Sequence, residues 1–277
     1  MRKKLLRAVA CGLVSLAALA LFGQAAAAEG KEDAAQLSLQ VAALQVLYQF
    51  DASPAQMEAL AKLAKDAAKP RARKSKASEK VRKALADLRD ALLEGDEDKI
   101  TERTDQMDDL RSAENSDLDD AIETTPAARK SAPEALRLFS ARQVHAYLGN
   151  YDEDDLPDPL ERMTEAMKTG RSLAAADWKT LCKEASEEVG WQLAGLDEGA
   201  AKKVADKVTA LFEQSRRLNN DEFKSKQPDL EKAARDIVGD VGPTEVLRHL
   251  AERDLADLLA NPQLPSALEA RLKKAKK

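Results

Sequence analysis

The stretch Leu37–Ala68, LSLQVAALQVLYQFDASPAQMEALAKLAKDAA, decides the fold. It reads as two helices joined at Asp51-Ala52-Ser53-Pro54. Ser53 is placed to accept from the free N–H groups of the second helix. Pro54 suits the first helical position, where no N–H is needed, and Gln56, three residues after the cap, can reach back to it. The first helix is expected over about Ala34–Phe50. Leu37, Val41, Leu44 and Tyr48 share one side of it, and Leu39, Val46, Leu47 and Phe50 widen that side. A face so broad must be covered by neighbours. The second, Pro54–Ala68, turns Met57, Leu60, Leu63 and Ala67 inward.

Downstream the same 3.6-residue period recurs. Lys69–Ala77, KPRARKSKA, interrupts it with a proline and a run of cations, as a linker or a basic contact loop. Ser78–Leu93 places Val81, Leu85, Leu88 and Leu92 on one stripe, Glu94-Gly95-Asp96 turns the chain, and Glu97–Arg111 follows with Ile100, Met107 and Leu110. A short helix is expected to start at Ser116, with Asp119 completing a capping box. Thr124–Ala132, polar and free of large apolar residues, is the expected domain boundary. Pro133–Asn150 reads as one helix or a broken pair, with Leu136, Leu138, Phe139, Val144, Tyr147 and Leu148 on its apolar side. The acidic Tyr151–Pro159 precedes a helix through Leu160, Met163, Ala166 and Met167. Leu173–Ala194 is periodic in Trp178, Leu181, Cys182, Ala185, Val189 and Leu193. Asp197 can cap a long helix reaching Leu218, and Asn219-Asn220-Asp221 turns the chain. Leu230–Val238 and Glu245–Ala260 are the last helices expected. Pro262 and Pro265 then end regular packing, and Arg271–Lys277 is expected to fray. The fold class expected is therefore all-α, a multi-helix bundle in two subdomains, 34–123 and 133–260, with a basic tail over 261–277.

The first residues carry a different signal. Arg2, Lys3, Lys4 and Arg7 form a basic segment, Ala8–Phe22 is apolar, and Ala25–Ala28 offers small residues for a peptidase. Residues 1–28 read as a cleavable signal peptide with cleavage after Ala28. The apolar run is shorter than the roughly 20 residues of a membrane anchor. Cys11 begins that run instead of following it, which does not suit a lipidated cysteine. The expected destination is the periplasm or the outside of the cell, with no stable membrane span after cleavage. The chain holds 44 Lys and Arg against 49 Asp and Glu. Removing 1–28 takes four of the cations and leaves 40 against 49, a net charge of −9. So acidic a chain is a poor general nucleic-acid binder. Ala, Leu, Glu, Lys, Asp and Arg dominate while aromatics are 4% of the chain, a composition that favours helices.

Chemistry is sparse. His145 and His249 lie far apart in sequence and outside any HExxH pattern. Cys182 follows Trp178 by one helical turn and reads as a core thiol, and a His145/Cys182 nucleophile–base pair has no local support. Asp152-Glu153-Asp154-Asp155 suggests calcium at first sight. The sixth position of an EF-hand counted from Asp152 is Pro157 and the twelfth is Met163, where Gly and Glu are needed. There is no GxSxG, phosphate loop or dinucleotide fingerprint. Catalytic, cofactor-binding and metal residues are therefore expected to be absent, and no cofactor is implied. Lys69–Lys83 holds eight cations and one carboxylate, and Glu94–Asp109 eight carboxylates and two cations. Attraction between neighbouring helices accounts for that pattern, with a polyanion-binding loop at Lys69–Lys76 as the alternative.

The residues Phe50-Asp51-Ala52-Ser53-Pro54-Ala55-Gln56-Met57 resemble the motif of the LTxxQ proteins, periplasmic all-helical stress proteins that include small chaperone-like factors. That family usually carries two copies, and Leu138-Phe139-Ser140-Ala141-Arg142-Gln143-Val144 repeats the Ser-x-x-Gln spacing. Ala52 stands where the pattern has Leu, Ser replaces Thr, and the second copy lacks Pro. Ser53, Pro54, Gln56, Ser140 and Gln143 are thus both capping residues and motif residues. The resemblance implies an exported helical protein that binds unfolded or stressed clients on an apolar face. The expected function is non-enzymatic protein binding through apolar helix faces, with a protein partner or unfolded client. The alternative is an envelope scaffold that associates through charged surfaces.

Overall fold

A computed structural model describes residues 33–65, 67, 77–114, 122, 124–149 and 158–275. The expected signal peptide at 1–28, the basic segment Lys69–Lys76, the Ser116 capping box and the acidic residues 151–157 lie outside the described residues. Those described are all-helical: twelve α-helices and one 3-10 turn, with no strand. They are α1 (Ala34–Gln49), α2 (Pro54–Ala64), α3 (Glu79–Glu94), α4 (Glu97–Glu114), α5 (Pro126–Arg137), α6 (Ala141–Leu148), α7 (Pro159–Thr169), the turn Gly170–Ser172, α8 (Ala175–Ala194), α9 (Glu198–Arg216), α10 (Asn220–Val238), α11 (Pro243–Ala260) and α12 (Leu264–Ala275). No helix among them is long and apolar enough to cross a membrane.

The described residues up to Gly149, together with Asp254–Ala275, form one compact unit, and 158–253 form a second. In the first, α1 is buried nearly all round. Leu37, Leu39, Val41, Leu44 and Leu47 are inside, and so are Ser38, Gln40 and Gln45. It packs against α3, whose Val81, Leu85, Leu88 and Leu92 are each at most 2% exposed, and against α12. Gly95 joins α3 and α4 into a hairpin. Thr125 caps α5 through the N–H of Ala128 while its hydroxyl donates to the carbonyl of Ala67 at 2.8 Å. The expected boundary at Thr124–Ala132 falls inside this unit. The inward residues of α5 are Ala128, Ala132 and Ala135, which pack closely yet carry little hydropathy signal.

Two further elements differ from expectation for reasons seen in their backbones. The basic tail expected over 261–277 contains a helix: α12 runs Leu264–Ala275 and takes in Arg271–Ala275, which were expected to fray, with Leu264, Ala267 and Leu268 buried. Pro265 sits in its first turn, where a missing N–H costs nothing. α10 begins at Asn220 and not at Leu230. Asn219 and Glu222 close a capping box, so the Asn-Asn-Asp stretch starts a helix. Pro228 lies inside it, as Pro133 lies inside α5. Proline forgoes one helical hydrogen bond but keeps a helical φ, and burial of Phe223 and Leu230 on either side holds α10 together.

The second unit is a four-helix cluster, α7 to α10. Met163, Met167, Trp178, Val189, Val208 and Phe212 lie in its core, with Trp178 edge-on to Phe212 at 6.3 Å. α8 and α9 approach closely at Gly190, where an added Cβ would sit 2.6 Å from the carbonyl oxygen of Ala201. Alanine favours a helix over glycine by about 1 kcal/mol, whereas forcing a methyl into a packed interface costs about 1–3 kcal/mol. The backbone clash wins. Gly190→Ala is expected to lower the urea midpoint, while Gly199→Ala on α9, whose nearest foreign atom is 3.4 Å away, leaves it unchanged or raises it. Urea unfolding followed by far-UV circular dichroism checks both.

Candidate functional site

The two Ser-x-x-Gln segments meet. Ser53 caps α2 by accepting from the N–H of Gln56 at 3.4 Å, and the Gln56 Oε1 accepts from the N–H of Ser53 at 2.8 Å. Ser140 and Gln143 repeat this at the start of α6, at 3.3 and 3.0 Å. In each box the carboxamide oxygen is held by the serine N–H, which fixes the orientation of the amide and aims its two N–H groups outward. The Gln56 Nε2 donates to the carbonyl of Leu138 at 2.8 Å and to the Gln143 Oε1 at 3.0 Å. The Gln143 Nε2 donates to the carbonyls of Phe50 and Asp51 at 3.1 and 3.0 Å, and to the Gln56 Oε1 at 3.1 Å. Each glutamine therefore caps its own helix and satisfies the turn that precedes the other's cap. Leu138 and Asp51 occupy the same position, two residues before their serines, so the exchange has an approximate two-fold relation.

The receiving turn is unusual. Asp51 has φ +47°, the left-handed region, and no other non-glycine described residue is in that region. Its N–H donates to Tyr48 and that of Ala52 to Leu47, the paired bonds of a Schellman helix ending. That ending frees the Phe50 and Asp51 carbonyls to face Gln143. Beneath the amides lies a stack of rings. Phe50, fully buried, has its centroid 4.4 Å from Phe139 and 3.9 Å from Tyr147. The Tyr147 hydroxyl donates to the Asp254 carboxylate on α11. These groups donate, accept and stack.

The other residues considered for chemistry are divided between the two units. His145 is exposed on α6 in the first unit. His249 is buried in the second, its Nδ1 2.9 Å from the Gln192 carbonyl at the end of α8 and its Nε2 3.1 Å from Arg248. Cys182 is a free buried thiol among Trp178, Ala185 and the rest of the second core. Burial, helped by Glu213 and opposed by Arg216, pushes that thiol up to about 11. Among the described residues no group of three or more His, Cys, Asp or Glu side chains could hold a metal ion.

Ser53, Pro54, Gln56, Ser140 and Gln143 act as caps at the positions where the sequence places them. What spacing alone does not show is that the two boxes interlock across 87 residues. The available signal was the choice of Gln over Glu at both N3 positions. Either can accept in a capping box, but only the amide has hydrogens left to give. Comparison with known protein families, characterised proteins and solved structures found no match.

Gln56→Glu and Gln143→Glu each keep the capping acceptor, lose the outward donors and set a carboxylate against backbone carbonyls. Each is expected to lower stability by about 1–3 kcal/mol, and the double substitution to be non-additive. A double-mutant cycle in urea checks this, and additive losses at both sites would mean the amides do not couple. For Cys182 the fold favours the protonated thiol. Its contribution is constant below the ordinary value of 9.0 and declines as pH rises through 9.0 to about 11. Cys182→Ala is expected to flatten the stability–pH curve over that window, measured by thermal unfolding at a series of pH values.

Proposed function

We propose that this chain is an exported, non-enzymatic helical protein that binds other proteins through apolar helix faces, as a chaperone-like factor of the cell envelope. The observation that carries the reading is the reciprocal glutamine pair. Both segments that resemble the LTxxQ motif serve one purpose, tying two helix–turn–helix junctions together, which is what a paired motif would be kept to do. The apolar character of α1, buried nearly all round, supplies the kind of surface such binding would use.

A second reading, an envelope scaffold that associates through charged surfaces, is favoured by a different observation. Leu173, at 36%, is the one large apolar side chain exposed among the described residues. One exposed large apolar side chain offers little for docking by hydrophobic contact, which uses a contiguous patch of several hundred Å². On the first reading the apolar faces have to be uncovered before they bind.

Two measurements separate the readings. Purified protein at equimolar ratio is expected to suppress the aggregation of a chemically denatured client, read by light scattering. It is expected to remain in the soluble envelope fraction as salt is raised. Unchanged client aggregation together with retention in the envelope that high salt abolishes would favour the scaffold. Loss of any discovered turnover in His145→Ala, His249→Ala or Cys182→Ala would instead argue for an enzyme.

A further inference from the structure

α12 is held the way a bound helical peptide is held. It lies against α1, α2 and α3. Leu264, Ala267 and Leu268 are its buried side chains, at 0%, 0% and 2% exposure. Arg271 completes the series at i, i+3, i+4 and i+7, the spacing by which an amphipathic helix fills a groove. The opposite side, with Pro265, Glu269, Lys273 and Lys274, is exposed. The Arg271 Nη1 donates to the carbonyl of Leu92 in the last turn of α3 at 2.6 Å. Unpaired carbonyls and the helix dipole make that end of the groove negative, and Asp51 adds its charge there. The groove thus selects two leucines four apart, a small residue before the second, and a cation one turn on.

The attachment of α12 is light compared with that of its neighbour. α3 buries Val81, three leucines and two alanines, whereas α12 buries two leucines and an alanine. Its guanidinium is half-buried, and burial pulls the Arg271 pKa below its ordinary value, so docking carries a desolvation cost. Its polar ties to α1 are the Asn261 Nδ2 donating to the Leu39 carbonyl at 2.7 Å and the Gln40 Nε2 donating to the Ser266 Oγ at 3.2 Å. Those ties place the Leu39–Gln40 side of α1 beneath α12. Ala43 and Leu47, one and two turns on, continue that side.

We infer that the groove between α1, α2 and α3 is a helix-binding site, and that α12 fills it as an exchangeable internal ligand in place of a partner's basic amphipathic helix of the pattern Leu-x-x-small-Leu-x-x-Arg. When α12 leaves, the second apolar side of α1 becomes the contact surface. The identity of the partner as an unfolded client rests on the function proposed above, but the exchange itself does not.

The probe is a fluorescein-labelled peptide of residues 261–277 added to the full chain and followed by anisotropy. The tethered α12 competes at an effective concentration of order 1 mM, so binding to the wild-type chain is expected to be weak. Leu268→Ala in the chain loosens the tethered copy and is expected to tighten peptide binding by about tenfold or more. Gln40→Cys with Ser266→Cys, bridged by a reducible bis-maleimide, is expected to abolish binding, and dithiothreitol to restore it. Cys11→Ser and Cys182→Ala in both the bridged and the reduced chains leave only the two introduced thiols to react. A peptide with Leu264→Asp and Leu268→Asp is expected not to bind at all. Equal binding by the bridged and reduced chains overturns the inference. So does absence of binding to Leu268→Ala when hydrogen exchange shows its α12 amides unprotected. If Leu268→Ala loses its helical circular dichroism, the bridged and reduced pair decides alone, and failure of both to bind overturns the inference. Peptide exchange without client protection would sink the chaperone-like reading and leave the groove. Client protection that is equal in bridged and reduced chains would do the reverse.

Discussion

A carboxamide that caps a helix has its oxygen committed and two hydrogens free, and the first unit is built on where those hydrogens go. Gln56 and Gln143 each spend them on the other's turn and on each other. Four of these five bonds are partly buried, where an unmade bond costs more than a made one gains. That asymmetry holds the α1–α2 and α5–α6 junctions in one register. It also explains why Asp51 is kept in a left-handed conformation that a non-glycine residue adopts at a cost of about 1–2 kcal/mol. The strained turn presents two carbonyls to one amide, and the Phe139–Phe50–Tyr147 stack closes beneath them.

Much of this was legible in the residues. The 3.6-residue period of Val81, Leu85, Leu88 and Leu92 gave α3, and Ser53-Pro54 marked the start of α2 within one residue. Asp197 likewise marked the start of α9. The parts that escaped share a physical cause. α5 and α12 are held by alanines and a few leucines, so close packing outweighs hydropathy, and a pattern of large apolar residues does not register them. Pro133 was read as a helix start and Pro265 as an end to regular packing, yet a helix with enough buried partners absorbs the loss of one hydrogen bond. The candidate site was legible as two separate caps and illegible as a pair, because reciprocity between positions 56 and 143 is set by tertiary placement and not by local spacing.

Charge acts locally around the α3–α4 hairpin. Lys99 bonds Glu94 at 2.9 Å and lies 3.3 Å from Asp96, around the Gly95 turn, and holds both carboxyls below their usual range. Arg82 pairs with Glu79 one turn before it on α3. These are exposed pairs within a helix or a turn, each contributing little. Of the charges drawn out of water, Arg271 is tied to the Leu92 carbonyl, Arg216 is laid on Trp178 at 4.8 Å, and the buried Glu252 is paired with Arg248. Guanidinium suits these uses because it is weakly hydrated and planar.

The route of the chain through its two units bears on the order in which they can form. The second is a continuous run, 158–253, and all of its contacts are available once that run exists. The first is discontinuous: Gln40 waits for Ser266, 226 residues later, and Leu39 waits for Asn261. Closing so long a loop is entropically slow. Until α12 is in place, the second unit can be finished while α1 is still bare on one side.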